Sequence, residues 1–498
     1  MNRRRYDPAW VARDPYPQLI GGVEMREGKI SPVIDPSTGE EVASWAEATE
    51  HEIDAAVSGA RASYDAGLWS KMPLARRAEV LEAVAERIRR EAPRLAAVEA
   101  LDTGKAVTGA LAYDVFEAAT AFAHAAGMCR DLHGDVRRSS FPPDLIPGGG
   151  PEILTLRLRE PGGVVCELLP WNGPLMTGSQ RLSAALAAGC SIVVKAPTDA
   201  VMSVVTIAGM LHEAGLPPGV LNVVLGPGAT VGERLVDDPR FDIVSLTGSV
   251  ETGRRVMEIA SRHLTAVHLE LGGKSPVLVF ADADLDQAVG WATMAAFVNM
   301  GEVCVAGSRL LVEESVYNDV VKAVAAAAAT LPIGDALAPA TFIGPLVSAG
   351  HADRVRGYLD RALAAGDAEL VGAPSVPVGS RETFVPPTVL GRVRHGSEIE
   401  QEEVFGPVLA AMPFSTPEEA VELANGTRYG LNATVFSRDI ERVFTIADLL
   451  DCGEVNVNCH FAPDMNGGRG EPRRLSGLSR TGVEAYTRLK AVNLQVRS

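Results

Sequence analysis

The chain of 498 residues is longer than a single hydrophobic core serves, so two or more lobes sharing a cleft are expected. A composition of 47% hydrophobic and 22% charged residues excludes wholesale disorder. The net charge of -17, with no block of Lys and Arg, excludes nucleic acid as the main partner, because phosphate neutralisation needs clustered cations.

The N-terminal "MNRRRYDPAW" has basic residues but no apolar stretch behind them, unlike a secretory signal. No apolar run is long enough to span a bilayer; the best, "LSAALAAGCSIVVKA", is broken by Gly189 and ends at Lys195. A cytoplasmic protein without membrane contact is expected. Up to about Leu132, Ala, Glu and Arg recur at helical spacing, and "PLARRAEVLEAVAERIRREAPRLAAVEALDTGKAV" predicts a pair of amphipathic helices. "FPPDLIPGGGP" interrupts them, and "EILTLRLREP" alternates as a strand, the pattern of an arm leaving the main body.

From Gly163 to Phe280 the β-branched runs "GVVCELLP", "SIVVKAP", "GVLNVVLG" and "FDIVSLTG" are separated by helical segments such as "DAVMSVVTIAGMLHEAG". That alternation predicts a parallel sheet covered by helices on both faces, with ligands gathering at the carboxyl ends of its strands. A second α/β segment follows "GGKSPVLVF", with strands near "SRLLVEE", "VLAAMPF", "LNATVFS" and "GEVNVN", interrupted by the loop "GAPSVPVGSRETFVPP". The terminal "AVNLQV" reads as one more strand, its partner either the arm or another subunit. The fold class is α/β.

Six cysteines (Cys129, Cys166, Cys190, Cys304, Cys452, Cys459) are scattered without a CxxC pair, so neither a disulfide framework nor a zinc site is expected, and no other metal. Three short stretches depart from what folding alone selects. In "ELLPWNGPL", Asn172 follows a strand in a turn stiffened by Pro170 and Pro174; its amide either satisfies backbone or donates to a developing oxyanion. In "HLELGGKSP", Glu270 lies between Leu269 and Leu271; it is either a strand-end residue facing solvent or a desolvated carboxylate raised toward the range of a general base. In "GEVCVAGSR", Cys304 is either a small buried hydrophobe or a nucleophile, with Gly301, Ala306 and Gly307 leaving room for a ligand.

Taken in order, "PWNGPL", "VVKAPTDA", "TGSVETG", "LELGGKSP", "GEVCVAGSR" and "EEVFGPV" resemble the motif series of the NAD(P)-dependent aldehyde dehydrogenase superfamily. The resemblance implies two Rossmann-like α/β domains with a small β oligomerisation arm. Residues 1–136 and 161–271 would form the dinucleotide-binding domain, 272–475 the catalytic domain, and 137–160 with 476–498 the arm of a homodimer or homotetramer.

The same resemblance implies that Cys304 attacks an aldehyde, and that the Asn172 amide and the Cys304 backbone N–H hold the oxyanion, each donor worth roughly 3–4 kcal/mol. Hydride then leaves for the nicotinamide, and Glu270 activates the water that hydrolyses the thioester, which favours an acid product over transfer to coenzyme A. The cofactor, NAD or NADP, would be held by Pro170, Trp171, Lys195, Thr198, Gly228, Gly248, Ser249, Gly253, Leu271, Glu403 and Phe405. Thr198 stands where NAD-preferring members carry glutamate, so dual use or an NADP preference is expected. Gly173, Thr177, Gln180, Glu302 and His460 would line the substrate pocket. Gly173 opens its wall, which favours a bulky aldehyde, aromatic or terpenoid.

Glu302, where many members have glutamine, is either a proton acceptor near Cys304 or a solvated helix-end residue; Thr481 stands where relatives often have an acid. The pocket contribution of the atypical loop from His460 to Met465 stays open. A cysteine hydrolase or acyltransferase would need a histidine base, and none of the nine histidines lies in a recognisable nucleophile-partner motif. A non-catalytic structural protein of the same fold has no use for Asn172, Glu270 and Cys304 together.

Overall fold

The β-branched runs of the first half form the parallel heart of an eight-stranded sheet in a computed structural model that describes residues 10–11, 14–138, 153–377, 381–461, 471–478 and 482–496. In spatial order its strands are Val23–Met25, Gln18–Ile20, Leu221–Leu225, Ser191–Ala196, Val164–Leu168, Ile243–Thr247, Ala266–Glu270 and Gly477–Leu478. The five central strands are parallel, and both ends are closed by antiparallel strands. Strands such as Ser191–Ala196 and Leu221–Leu225 are buried along their whole length, as the two-sided helical cover requires. The chain steps outward from Val164–Leu168 to Leu221–Leu225, then returns to lay Ile243–Thr247 against the other side of Val164–Leu168. That reversal is the point where sheets of this kind open a crevice at their carboxyl ends.

The second half builds a seven-stranded sheet in the order Glu369–Gly372, Thr388–Gly391, Val408–Phe414, Arg309–Glu313, Pro276–Val279, Asn432–Phe436 and Glu454–Val457, parallel except at the Glu369–Gly372 edge. It has its own apolar core around Leu310, Leu311, Leu409 and Val435. The "AVNLQV" strand finds its partner in the arm: Thr487–Gln495 pairs antiparallel with Ile153–Pro161, and Asp135–Arg138 completes three strands.

The N-terminal segment departs from its all-helical expectation. Gln18–Ile20 and Val23–Met25 form a hairpin through Gly21 and Gly22, both at positive φ, and Ile30–Ile34 pairs with Glu41–Ala46. Helical periodicity begins only at Thr49, whose side chain accepts from the Glu52 N–H while the Glu52 carboxylate accepts from the Thr49 N–H at 2.8 Å. The expected helix pair is Leu74–Arg90 and Ala92–Thr103. Among the described residues no helix is long and apolar enough to cross a membrane.

Candidate active site

The strands ending near Leu168, Lys195, Thr247 and Glu270 open into one cleft of about 1420 Å³. It brings together Asn172, Glu270 and Cys304 with Pro170, Trp171, Lys195, Thr198, Gly228, Gly248, Ser249, Leu271, Glu403 and Phe405, and with Thr177 and Gln180. Gly173, Gly253, Glu302 and His460 do not line it.

Helix Leu285–Phe297 leads to Cys304 through a turn in which Asn299 (φ 50), Met300 (φ 53) and Gly301 (φ 72) are left-handed in succession. Such backbone is costly for residues other than glycine and persists where surrounding contacts hold it. Here the Asn299 amide donates to the main-chain oxygens of both Asn172 and Glu302 at 3.1 Å, and the Asn172 amide donates to the Glu302 oxygen at 2.8 Å. The thiol loop is thereby stitched to the turn that carries Asn172.

The small residues serve packing more than ligand space. A Cβ on Gly301 would strike the Gly406 carbonyl, and one on Gly307 would come within 2.5 Å of the Val277 side chain. A Cβ on Gly273 would strike the Cys304 carbonyl itself. Cys304 is partly exposed, whereas burial pushes the Cys129, Cys190 and Cys452 thiols up to about 11 and Cys166 still higher.

Glu270 ends its strand half-buried, and it is not the isolated carboxylate that its leucine neighbours suggested. An Nη of Arg181 lies 3.5 Å from its Oε1. Arg181 escaped the sequence reading, although it follows Thr177 by one helical turn on Pro174–Ala188. Glu403 accepts from the Gly273 N–H at 3.0 Å and packs over Gly272, where a Cβ would strike its carboxylate. Burial pushes its carboxyl up to about 7. Phe405, at φ 57, meets Trp171 edge-on at 5.3 Å, and the His351 ring donates to the Phe405 carbonyl at 2.7 Å.

Four expectations are corrected by position. Glu302 is neither in the cleft nor solvated: it is 1% exposed, accepts from the Val347 N–H at 3.2 Å, and lies 3.6 Å from His351. Burial holds its carboxyl well above the usual range. His460 sits behind the thiol loop, its ring nitrogens engaged by the Thr434 hydroxyl at 2.7 Å and the Val305 carbonyl at 3.1 Å; its neighbour Phe461 lines the cleft instead. Burial pushes the His460 imidazole down to about 4. Gly253 serves helix packing, since a Cβ there would lie 2.7 Å from Leu271. Gly173 lies behind the lining, with Asp114 Oδ1 at 3.3 Å from where its Cβ would be. Residues 462 to 465 of the atypical loop, and Thr481, lie outside the described residues.

The other end of the cleft suits a dinucleotide. Lys195 is almost fully buried there, its ammonium pushed down to about 8, with the Asp199 carboxylate as its opposing charge. The N-terminus of helix Val250–Ala260 opens into the same cleft, capped by Ser249, whose hydroxyl accepts from the Thr252 N–H at 3.1 Å. A cation and a helix N-terminus, with the Glu403 carboxylate held over Gly272 and Gly273 elsewhere in the cleft, are the donor and acceptor set that phosphates and ribose hydroxyls require.

Two covered parallel sheets and a partly exposed thiol in a cleft at their strand ends define an α/β protein with the frame of a nucleotide-linked enzyme. The profile of the aldehyde dehydrogenase family matches residues 23–492. The betaine aldehyde dehydrogenase of Bacillus subtilis (strain 168) is 37% identical over 94% of this chain and 95% of its own length. Among solved structures, a mutant of the P. syringae indole-3-acetaldehyde dehydrogenase in complex with NAD+ and IAA superposes with a TM-score of 0.92 at 34% identity, covering 97% of each chain. Betaine aldehyde dehydrogenase of Staphylococcus aureus in complex with NAD+ gives 0.90 at 31% identity, covering 96% of this chain and 94% of that one. The chain belongs to the aldehyde dehydrogenase family, and it is an NAD(P)-dependent oxidoreductase of aldehydes.

Proposed function

We propose that this enzyme oxidises a bulky aldehyde to the carboxylic acid through a thioester on Cys304. The supporting observation is that Cys304, Asn172 and Glu270 line the same cleft as Lys195, Ser249 and Glu403. The Cys304 thiolate adds to the aldehyde carbon, and the resulting oxyanion accepts hydrogen bonds from the Asn172 amide and the Cys304 backbone N–H. The nicotinamide, when bound, accepts the hydride that leaves this carbon. Lys195, Thr198 and Asp199 at one end, Gly248 and Ser249 at the helix N-terminus, and Glu403 and Phe405 toward the thiol would hold the cofactor. Glu270 then takes a proton from water as the water oxygen adds to the thioester carbon; the C–S bond breaks, the acid departs and the thiolate is restored.

The bulky, aromatic or terpenoid reading of the substrate is supported by a lining that includes the small Ala121, Ala125 and Thr177, with Gln180 and the adaptable Met128. The indole-3-acetaldehyde dehydrogenase among the relatives is consistent with that reading. A histidine-assisted hydrolase is disfavoured because His460, close behind the thiol loop, spends its ring nitrogens on Thr434 and Val305. The three-stranded arm exposes Val136, Leu158, Leu489 and Leu494, apolar surface suited to a homodimer or homotetramer.

Rapid mixing with aliphatic, aromatic and amino-aldehydes tests the reading. Wild type should give a burst of reduced cofactor, Cys304→Ala none, and Glu270→Gln a burst without sustained turnover. Undiminished turnover by Cys304→Ala refutes it.

A further inference from the structure

Phe405 holds φ 57, a left-handed backbone that is an outlier for a bulky residue and persists where its surroundings enforce it. The enforcing group comes from 54 positions earlier in the chain: His351 Nε2 donates to the Phe405 carbonyl at 2.7 Å. Since a carbonyl only accepts, this nitrogen carries the ring's proton. Glu302 Oε1 stands 3.6 Å from the same nitrogen, beyond hydrogen-bond range, so the N–H is spent on Phe405.

His351 is itself fixed. It is the third residue of helix Ala349–Ala364, and its backbone N–H donates to the capping hydroxyl of Ser348 at 3.3 Å. Its ring centroid lies 5.2 Å from that of Trp171, edge-on, and 6.2 Å from that of Phe405; all three rings line the cleft. The loop that Phe405 occupies packs closely on the same helix, since a Cβ on Gly406 would come within 2.7 Å of Val355, one turn beyond His351. It also backs the thiol loop, because the Gly406 carbonyl occupies the space where Gly301 would carry a Cβ.

We propose that His351 is a positioning residue for the nicotinamide end of the cleft, its ring N–H anchoring the Phe405 carbonyl and thereby the aim of the Phe405 ring. This rests on the reading of Phe405 as a residue that holds the cofactor. A return of Phe405 to negative φ would swing its ring and its carbonyl together about the N–Cα bond. The anchored carbonyl opposes that swing, because turning away leaves the mostly buried imidazole N–H unpaired. The strained backbone and the histidine therefore act as one device: the first aims the ring, and the second keeps the strain from relaxing.

Hydrogen exchange on the cofactor-free enzyme and calorimetric titration with NAD+ test this together. His351→Leu, close to imidazole in size but without a donor, should speed exchange in the peptide spanning residues 402–408 and leave the strand Arg309–Glu313 unchanged. It should also weaken NAD+ binding roughly five- to tenfold. His351→Gln, which restores an N–H donor without the ring, should bring affinity to within about twofold of wild type and return exchange to normal. Native exchange or native affinity in His351→Leu overturns the inference. So does an equal loss in both variants, which would assign the effect to the ring rather than to its N–H. Phe405→Ala, measured alongside, separates the two readings: native NAD+ affinity there sinks the cofactor role of Phe405 and this inference with it, whereas weakened binding beside a normal His351→Leu sinks this inference alone.

Discussion

The side-chain amide of Asn172 is tied to the main-chain oxygen of Glu302 at 2.8 Å, two residues before Cys304. An amide nitrogen carries two hydrogens, so one tether fixes the group while the second hydrogen remains to face an oxyanion. Asn299 reinforces the tether by donating to the oxygens of Asn172 and Glu302 from a left-handed backbone position. Asn299→Ala is therefore expected to lower kcat/KM roughly a hundredfold, the usual consequence of a small misplacement of reacting groups, with unfolding free energy reduced by about 1–3 kcal/mol. Steady-state kinetics beside denaturant unfolding check both. An Asn299→Ala enzyme of native efficiency would show that the clamp positions nothing.

Thiol chemistry should single out Cys304. Four of the other cysteines are buried, and burial disfavours their thiolates; Cys459 is the second partly exposed one. Alkylation by iodoacetamide should abolish activity at one label per chain, at the same rate in Cys459→Ser as in wild type. Mass spectrometry of the labelled peptide decides, and inactivation with Cys304 unmodified contradicts the assignment.

The adenosine end carries two opposed charges. Thr198 in place of a glutamate was expected to admit the 2′-phosphate of NADP alongside Lys195. The structure adds Asp199, whose carboxylate faces the same lysine in the cleft. Its charge offsets the attraction that Lys195 offers a phosphate. Asp199→Asn should raise the NADP-to-NAD efficiency ratio roughly tenfold, about 1.4 kcal/mol, and Thr198→Glu should lower it by at least as much. Ratios unmoved in both variants would place the ribose elsewhere.

The parallel-sheet architecture was legible because β-branched runs such as "SIVVKAP" and "FDIVSLTG" are buried on both faces, and continuous burial leaves a continuous apolar signature. The motif residues at strand ends were legible for a related reason: Asn172 and Glu270 interrupt such runs with polar groups. What stayed hidden depends on long-range approach. Arg181 reaches Glu270 across 89 positions of sequence, and nothing local in "SQRLSAAL" marks it as an active-site cation. Gly301 and Gly307 looked like ligand space because sequence does not show that Gly406 and Val277 occupy it. His460 and Glu302 looked like lining because they adjoin residues that do line the cleft.

Glu302 gives the clearest consequence of such a misreading. Two residues from the thiol, it was open to a role as proton acceptor, yet its carboxyl turns away toward Val347 and His351. The burial that holds its carboxyl protonated well above the usual range makes it a structural cost at higher pH. A carboxyl that stays protonated in the folded chain at a pH where the unfolded chain releases the proton contributes stability below the unfolded value, and this is lost as pH rises. Glutamine keeps an acceptor for the Val347 N–H without that cost. Glu302→Gln should therefore leave the pH–rate profile of aldehyde oxidation unchanged, and it should melt above wild type at about pH 8, with the difference narrowing toward about pH 5. Differential scanning calorimetry across that range, beside the rate profile, tests both halves. A shifted rate profile would restore the proton-acceptor role, and a Tm difference independent of pH would show that Glu302 is not held protonated by burial.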